Sequence, residues 1–182
     1  MVGSRPWGHD EVMTSADRID DSSSAGPDGP LLICYDGSED AKLAIESAAG
    51  LLAAKPALVL TVWQPTAALG SFAWSGATAN MVNFVELDRA GAEDACRVAN
   101  DGVRIAQEAG LEAEPCAIKA TGPVWKTIVE TADRHDAEAI VMGSRGLTGV
   151  RSMLLGSVSS AVVHHADRPT LVIHRPSDDQ AD

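Results

Sequence analysis

The chain has 182 residues, of which 45% are apolar, and a formal net charge of −12. This size and composition predict a single folded domain with its own core and exclude a wholly disordered protein. Because no run of about 18 apolar residues is present, we expect no membrane-spanning helix. The start of the chain lacks the pattern of a secretory signal, and the excess of acids disfavours binding to nucleic acid or to an anionic membrane.

The two ends of the chain differ from the rest in composition. Residues 1–29 contain two arginines against six acids and include the stretch DDSSSAGPDGP, which has almost nothing to bury. Such a segment cannot offset the entropy lost on ordering, so we predict a disordered acidic tail. Residues 177–182 carry three acids and no base and are predicted to be a flexible tail. Residues 30–176 remain as one domain.

Short apolar runs alternate with helical patterns through this domain. Ser38 is a predicted helix N-cap, Gly110 a predicted helix end, and Pro123 opens a further helix. The strands are predicted at 31–36, 57–63, 111–119, 138–142 and 170–175, and the last helix at Ser157–His165. Pro115 places the third strand at a sheet edge. Five strands alternating with four helices predict a doubly wound parallel sheet, which binds ligands beyond the carboxyl ends of its strands.

The connection over residues 64–82 is long for a compact domain. It contains Phe72, Trp74 and Met81. We interpret it as a surface excursion whose aromatic residues pack on the body. A lid over the site or an oligomer contact is the alternative.

The three cysteines, Cys34, Cys96 and Cys116, form no CxxC pair. We therefore expect no disulfide framework and no zinc site, and we expect a reducing, cytoplasmic location. Cys34 in a buried strand and Cys96 on an apolar helix face are predicted core thiols. Cys116, on the predicted edge strand, is the one expected to be accessible.

A glycine-rich loop, GSRGLTGVRSMLLGSVSS, follows the fourth strand at 143–160. Glycines let the backbone turn tightly and approach a ligand closely, and the last of them precedes a helix whose free amides suit phosphate. Hydroxyl donors and cations are available from Ser157, Ser159, Arg145 and Arg151. The loop is neither a Walker A motif nor a GxGxxG fingerprint.

The spacing Gly143-x2-Gly146-x9-Gly156-Ser157 resembles the ATP-binding signature of the universal stress protein family. YDGSEDAKLAIESA at 35–48 is similar to the first strand and helix of that family, and residues 137–173 are similar to its last third. The resemblance covers about 145 residues, from 30 to 176. The predicted fold is then a single doubly wound five-stranded sheet, Rossmann-like and similar to the adenine nucleotide alpha hydrolases, with strand order 3-2-1-4-5.

The resemblance implies an ATP site, with Mg²⁺ as a possible companion ion. Asp36 would meet the adenosine, and the backbone of Val62 would contact adenine. Met142 and Gly143 correspond to positions beside the ribose and the phosphates. The positions that correspond to the phosphate cradle are Gly146, Gly156, Ser157, Val158 and Ser159. Arg145 stands where many members have histidine, and an arginine there still favours an anion.

The resemblance also implies a homodimer formed through the last strand, Thr170–Ile173. It leaves three functions open: an ATP-binding stress-response module, a dimeric interaction module without nucleotide, and a binder of cyclic AMP. No Ser-His-Asp arrangement, pair of catalytic carboxylates or general base beside the loop is visible, so we expect at most slow ATP hydrolysis.

Several candidate residues also have purely structural interpretations. Asp36 can cap the turn that follows it, because Asp-Gly is a common turn pair. His164, His165 and Asp167 suggest a metal site, but adjacent helical residues point about 100° apart, and a role at the helix C-terminus is the simpler interpretation. Trp125 interrupts an apolar helix face and suggests a partner contact.

Overall fold

The computed structural model describes residues 29–52, 55–65, 84–147 and 155–175. Strands and helices alternate in the expected order within these ranges. The strands are β1 (Leu31–Cys34), β2 (Pro56–Trp63), β3 (Glu112–Lys119), β4 (Ala139–Gly143) and β5 (Thr170–Ile173). The helices are α1 (Glu39–Leu51), α2 (Phe84–Glu108), α3 (Val124–Arg134) and α4 (Ser157–His165). The predicted tails and most of segment 64–82 lie outside the described residues.

The five strands form one parallel sheet in the order β3-β2-β1-β4-β5, which confirms the predicted fold and strand order. The central strand β1 pairs with β2 on one side and with β4 on the other, so Leu31 lies between Ala57 and Ala139. The winding reverses between β1 and β4, and ligands of doubly wound sheets bind at such a point. Pro115 lies on β3, an edge strand, as predicted.

Two apolar layers cover the faces of the sheet. Side chains alternate along β1, so Leu31 and Ile33 pack towards α1 and α2, whereas Leu32 packs towards α3 and α4. All three residues are fully buried, as are Ile45 of α1 and Val162 of α4. This double coverage holds the carboxyl ends of β1 and β4 in fixed positions.

Local sequence signals set most element boundaries. The side chain of Ser38 accepts a hydrogen bond from the amide of Ala41 at 3.2 Å, and Gly110, with a φ of +93°, follows the end of α2, both as predicted. The predicted bounds of α4 are also confirmed. β1 ends two residues earlier than predicted, because the chain turns through Gly37, whose φ is +85°. β5 also ends two residues earlier, at Ile173.

The cysteines correct two predictions. Cys96 is exposed on α2 and is not a core thiol, whereas Cys116, expected to be the accessible cysteine, is half-buried, as is Cys34. Burial raises the pKa of the Cys116 thiol to about 11, so this thiol is not activated.

None of the helices in the described part of the chain combines the length and the apolar character needed to cross a membrane.

Candidate functional site

The segments that follow β1 and β4 meet at the carboxyl edge of the sheet. β1 leads into Asp36 and Gly37, and β4 leads into residues 144–147 of the glycine-rich loop. Because β1 and β4 are neighbours, these two segments border the crevice at which the winding reverses. The sequence predicted a ligand site at this place.

Asp36 connects the two sides of this crevice. Its exposed carboxylate accepts hydrogen bonds from the amide of Ser38 at 3.0 Å and from the amide of Leu147 at 3.2 Å. The bond to Ser38 is the turn cap expected from the structural interpretation, and the bond to Leu147 holds the glycine-rich loop. A Cβ at Gly146 would lie 2.6 Å from the Asp36 Oδ2 atom, so glycine permits this close approach.

Gly143 allows a second close approach. A Cβ on this residue would lie 2.7 Å from the carbonyl carbon of Asp40 and 2.8 Å from the nitrogen of Ala41. Both atoms belong to the backbone and cannot move aside easily. Glycine at the end of β4 therefore lets the first turn of α1 pack directly against the sheet beside the crevice.

Ser144 fixes the start of α4. This fully buried residue donates its amide to the carbonyl of Ile173 at 2.8 Å. Its own carbonyl accepts the amide of Gly156 at 2.7 Å and the hydroxyl of Ser159 at 2.8 Å. Two of the predicted phosphate donors, the Gly156 amide and the Ser159 hydroxyl, thus hold the protein itself together.

The first turn of α4 offers the remaining donors. Gly156 occupies the N-cap position without a side-chain cap. The amides of Ser157, Val158 and Ser159 make no hydrogen bond to another described residue. Free amides at a helix N-terminus carry partial positive charge and suit an anion. These three amides and the exposed Ser157 hydroxyl are the donors that the start of α4 offers to an anion.

Asp40 is a residue that the sequence reasoning missed. It is 5% exposed, and its carboxylate contacts Ser144, Arg145 and Arg175. Its helical spacing from the buried Ala44 and Ala48 is the signal that indicates its burial. Arg145, a predicted site residue, lies 3.5 Å from Asp40 through its Nε atom. Gly149 and Arg151 lie outside the described residues.

Val62 and Met142, two predicted site residues, lie near the carboxyl ends of β2 and β4. Val62 is half-buried near the end of β2, and Met142 is a buried residue of β4 that precedes Gly143. The neighbouring Trp63 has the Lys119 ammonium 5.2 Å from its ring centre, and Lys119 also pairs with Asp88 at 2.7 Å. The ion pair of Lys119 and Asp88 thus lies at the carboxyl ends of β2 and β3, next to Val62.

The histidines of α4 have a structural role. His165 stacks on Trp125 with ring centres 4.2 Å apart and an angle of 18° between the planes, so Trp125 contacts α4. Among the described residues no group of three His, Cys, Asp or Glu side chains is arranged to hold a metal ion.

A parallel doubly wound sheet with a glycine-rich loop after its fourth strand defines a class of α/β fold rather than one function. The family model described as "Universal stress protein family" matches residues 29–174. The chain therefore belongs to the universal stress protein family.

Curated relatives match over different lengths. A universal stress protein of Methanocaldococcus jannaschii is 47% identical over 49 residues, which are 27% of this chain and 29% of that protein. A putative universal stress protein of Staphylococcus aureus is 28% identical over 145 residues, which are 79% of this chain and 82% of that protein. The chain thus spans less than a third of the first relative but most of the second.

Solved structures share the fold. A second universal stress protein of Methanocaldococcus jannaschii, whose biochemical function was assigned from its structure, superposes with a TM-score of 0.65 at 23% identity, covering 84% of this chain and 100% of that one. The universal stress protein of Archaeoglobus fulgidus in complex with dAMP superposes with a TM-score of 0.54 at 23% identity, covering 80% and 97%. Other neighbours carry cAMP or AMP. At these identities the likeness shows the fold alone.

Proposed function

We propose that this chain binds an adenine nucleotide at the carboxyl edge between β1 and β4, with ATP as the preferred ligand. The observation that carries the proposal is the start of α4, where the amides of Ser157, Val158 and Ser159 bond to no other described residue. Hydrogen bonds to charged oxygens contribute about 1.5–3 kcal/mol each, more than the helix dipole supplies by itself. Doubly wound sheets bind dinucleotides and mononucleotides at this same carboxyl edge.

The charges of the site favour one orientation of the nucleotide. Asp36 is a carboxylate and repels phosphate, so we place the nucleoside beside Asp36 and Val62 and the phosphates beside α4. A ribose hydroxyl would replace the Leu147 amide on Asp36, which loosens the glycine-rich loop at one point. Met142 and Gly143 lie between the two regions, and Gly146 and Gly156 shape the backbone around the phosphates.

A magnesium ion fits this site only as a companion of the phosphates. Mg²⁺ is commonly held by one or two carboxylates together with substrate phosphates. Asp36 is an exposed carboxylate at this edge, whereas Asp40 is paired with arginines. When bound, the ion would neutralise phosphate charge. We propose at most slow hydrolysis, because both carboxylates that contact the loop already accept hydrogen bonds from the protein.

Calorimetric titration with ATP tests the proposal on the parent chain and on Gly146→Ala. The added methyl group collides with the Oδ2 atom of Asp36, so the carboxylate must turn away from the place proposed for the nucleoside, and we expect affinity for ATP to fall by about tenfold or more. Gly50→Ala is the matched control, because nothing lies within 4 Å of a Cβ at this exposed helical position. Equal affinity in Gly146→Ala and Gly50→Ala would reject the site. Parallel titrations with AMP and cyclic AMP rank the ligands.

A dimeric interaction module without nucleotide is the second candidate. It is favoured by the internal bonds of the site, since the Gly156 amide, the Ser159 hydroxyl and Asp36 are satisfied within the protein. Native mass spectrometry of the purified chain with and without added ATP separates the two functions. A dimer that neither retains nor gains nucleotide supports this second function.

A further inference from the structure

A buried carboxylate joins three segments of the chain beside the candidate site. Asp40 lies in the first turn of α1, and its side chain is 7% exposed. Its Oδ2 atom accepts the hydroxyl of Ser144 at 3.1 Å and lies 3.5 Å from the Nε atom of Arg145. Its Oδ1 atom accepts Arg175 at 3.1 Å and 3.3 Å. We refer to Asp40, Ser144, Arg145 and Arg175 as the Asp40 cluster.

Such a carboxylate is stable only with its partners in place. An unpaired buried charge is strongly destabilising, and removal of one partner leaves the other uncompensated. The bonds of Asp40 therefore restrain the loop after β4 and the segment after β5 relative to α1. A restraint of this kind is more effective than an exposed ion pair, which water and salt screen.

Ser144 carries this restraint to the anion-binding amides. Its side chain bonds to Asp40, and its carbonyl holds both the Gly156 amide and the Ser159 hydroxyl. The direction of the first turn of α4 thus depends on the position of Ser144. Through this residue, Asp40 determines where the amides of 157–159 point without touching a ligand itself.

The charges of the cluster separate two effects on ATP binding: positioning of the 157–159 amides and attraction of phosphate by net charge. Asp40 brings one negative charge, and Arg145 and Arg175 bring two positive charges, so the cluster is attractive to an anion. Replacing the carboxylate by a neutral amide increases the positive charge near the phosphates. Electrostatics alone therefore predicts tighter binding of ATP by Asp40→Asn, whereas lost positioning predicts weaker binding.

We propose that Asp40 is a positioning residue that, through Ser144, holds the amides at the start of α4 in the geometry that binds phosphate. This inference rests on the proposed function for its ligand. The restraint of α4 by Asp40 and Ser144 is a property of the protein alone and can be tested without nucleotide.

Hydrogen exchange and ATP titration on Asp40→Asn and Ser144→Ala test the proposal together. Ser144→Ala removes the bond to Asp40 without changing any charge. It provides the test if Asp40→Asn does not fold. We expect the hydrogen-bonded amides of Gly156 and Ser160 to exchange at least about tenfold faster in each variant, and affinity for ATP to fall by about three- to tenfold. Asp94→Asn, which alters an exposed ion pair with Arg97 on α2, is the matched control and should match the parent.

Two results would overturn the proposal: tighter binding of ATP by Asp40→Asn, or exchange of the Gly156 and Ser160 amides that is unchanged in both variants. If the parent chain binds no adenine nucleotide, the proposed function fails, and the exchange rates still decide whether Asp40 positions α4.

Discussion

At the scale of single residues, two carboxylates four positions apart have opposite surroundings. Asp36 is exposed and accepts two backbone amides, whereas Asp40 is buried and accepts donors from Ser144 and Arg175. A ligand can reach Asp36 by exchanging with the amide of Leu147. Under the two proposals above, Asp36 contacts the nucleoside, whereas Asp40 keeps its partners and positions the start of α4 through them.

The Cys34 thiol makes the free energy of unfolding depend on pH in the alkaline range. Burial, with a smaller contribution from the charge of Asp36, raises the pKa of this thiol from 9.0 to about 12. Above pH 9 the unfolded chain loses this proton while the folded chain retains it. The free energy of unfolding therefore falls as the pH rises from about 9 to about 12. We expect a smaller fall in Cys34→Ala than in the parent, measured by urea unfolding across this interval.

The exposed Cys96 supplies the control for this measurement, since Cys96→Ala removes a thiol that is not buried. Cys96→Ala should lose stability in parallel with the parent. The same parallel loss in Cys34→Ala would show that the buried thiol does not contribute.

How far a residue's role can be predicted depends on how near its partners are in sequence. Ser38 caps α1 through Ala41, three positions away, and the local pattern indicates this bond. The partners of Asp40 are 104 and 135 positions away. Helical spacing indicates that position 40 is buried, but no local pattern identifies Ser144 or Arg175, because the sheet topology brings them there.

At the scale of elements, periodicity predicts where helices and strands lie better than it predicts the width of a buried face. The α4 bounds follow from Gly156 before its start and were confirmed. On α2 the buried stripe runs through Ala95 and Ala99, and Cys96, turned about 100° from Ala95, falls outside it. The prediction for Cys96 was wrong because the stripe is narrower than the apolar pattern.

Arg168 links the end of α3 to the start of β5. Its Nη1 atom donates to the carbonyls of Ala132 at 3.0 Å and Ala137 at 2.7 Å, and its Nη2 atom pairs with Asp133. Hydrogen bonds from a charged donor contribute about 1.5–3 kcal/mol. We therefore expect Arg168→Ala to lower the free energy of unfolding by about 2 kcal/mol or more, measured by urea unfolding.

The control for this element is Arg104→Ala, which removes an exposed pair with Glu108 within α2. Exposed pairs contribute about 0–1 kcal/mol, so this variant should stay close to the parent. Equal losses in the two variants would contradict the role assigned to Arg168.

At the scale of the whole molecule, the two edges of the sheet differ in character. β3 presents exposed Glu112, Glu114 and Pro115, which discourage pairing with another strand. β5 contains no charged residue and is half-buried along its length. We propose that two copies of the chain associate through β5, as the sequence resemblance implies.

Val172→Pro tests this association. The carbonyls of Pro169 and Ile173 point towards β4, where they accept the amides of Ile140 and Ser144. Because successive residues of a strand direct their backbone groups to opposite sides, the amide of Val172 points away from β4. Proline there removes an outward amide without breaking the internal ladder. We expect light scattering to show a dimer for the parent and a monomer for the variant, with circular dichroism unchanged.

Val85→Ala, an exposed change on α2, which packs on β2 and β3 at the other side of the sheet, should leave the dimer intact. A Val172→Pro chain that still scatters as a dimer would place the association elsewhere.

The parallel sheet also determines at which edge of the sheet a segment attached before β1 or after β5 joins the domain. β1 begins at the amino edge, whereas β5 ends at the carboxyl edge, where Asp36 and Gly143 lie. A fluorophore or affinity tag joined ahead of Pro30 therefore enters on the side opposite the crevice. One joined directly after Arg175 starts beside the guanidinium that pairs with Asp40. Labels for ligand-affinity measurements are consequently better attached directly ahead of Pro30 than after Arg175.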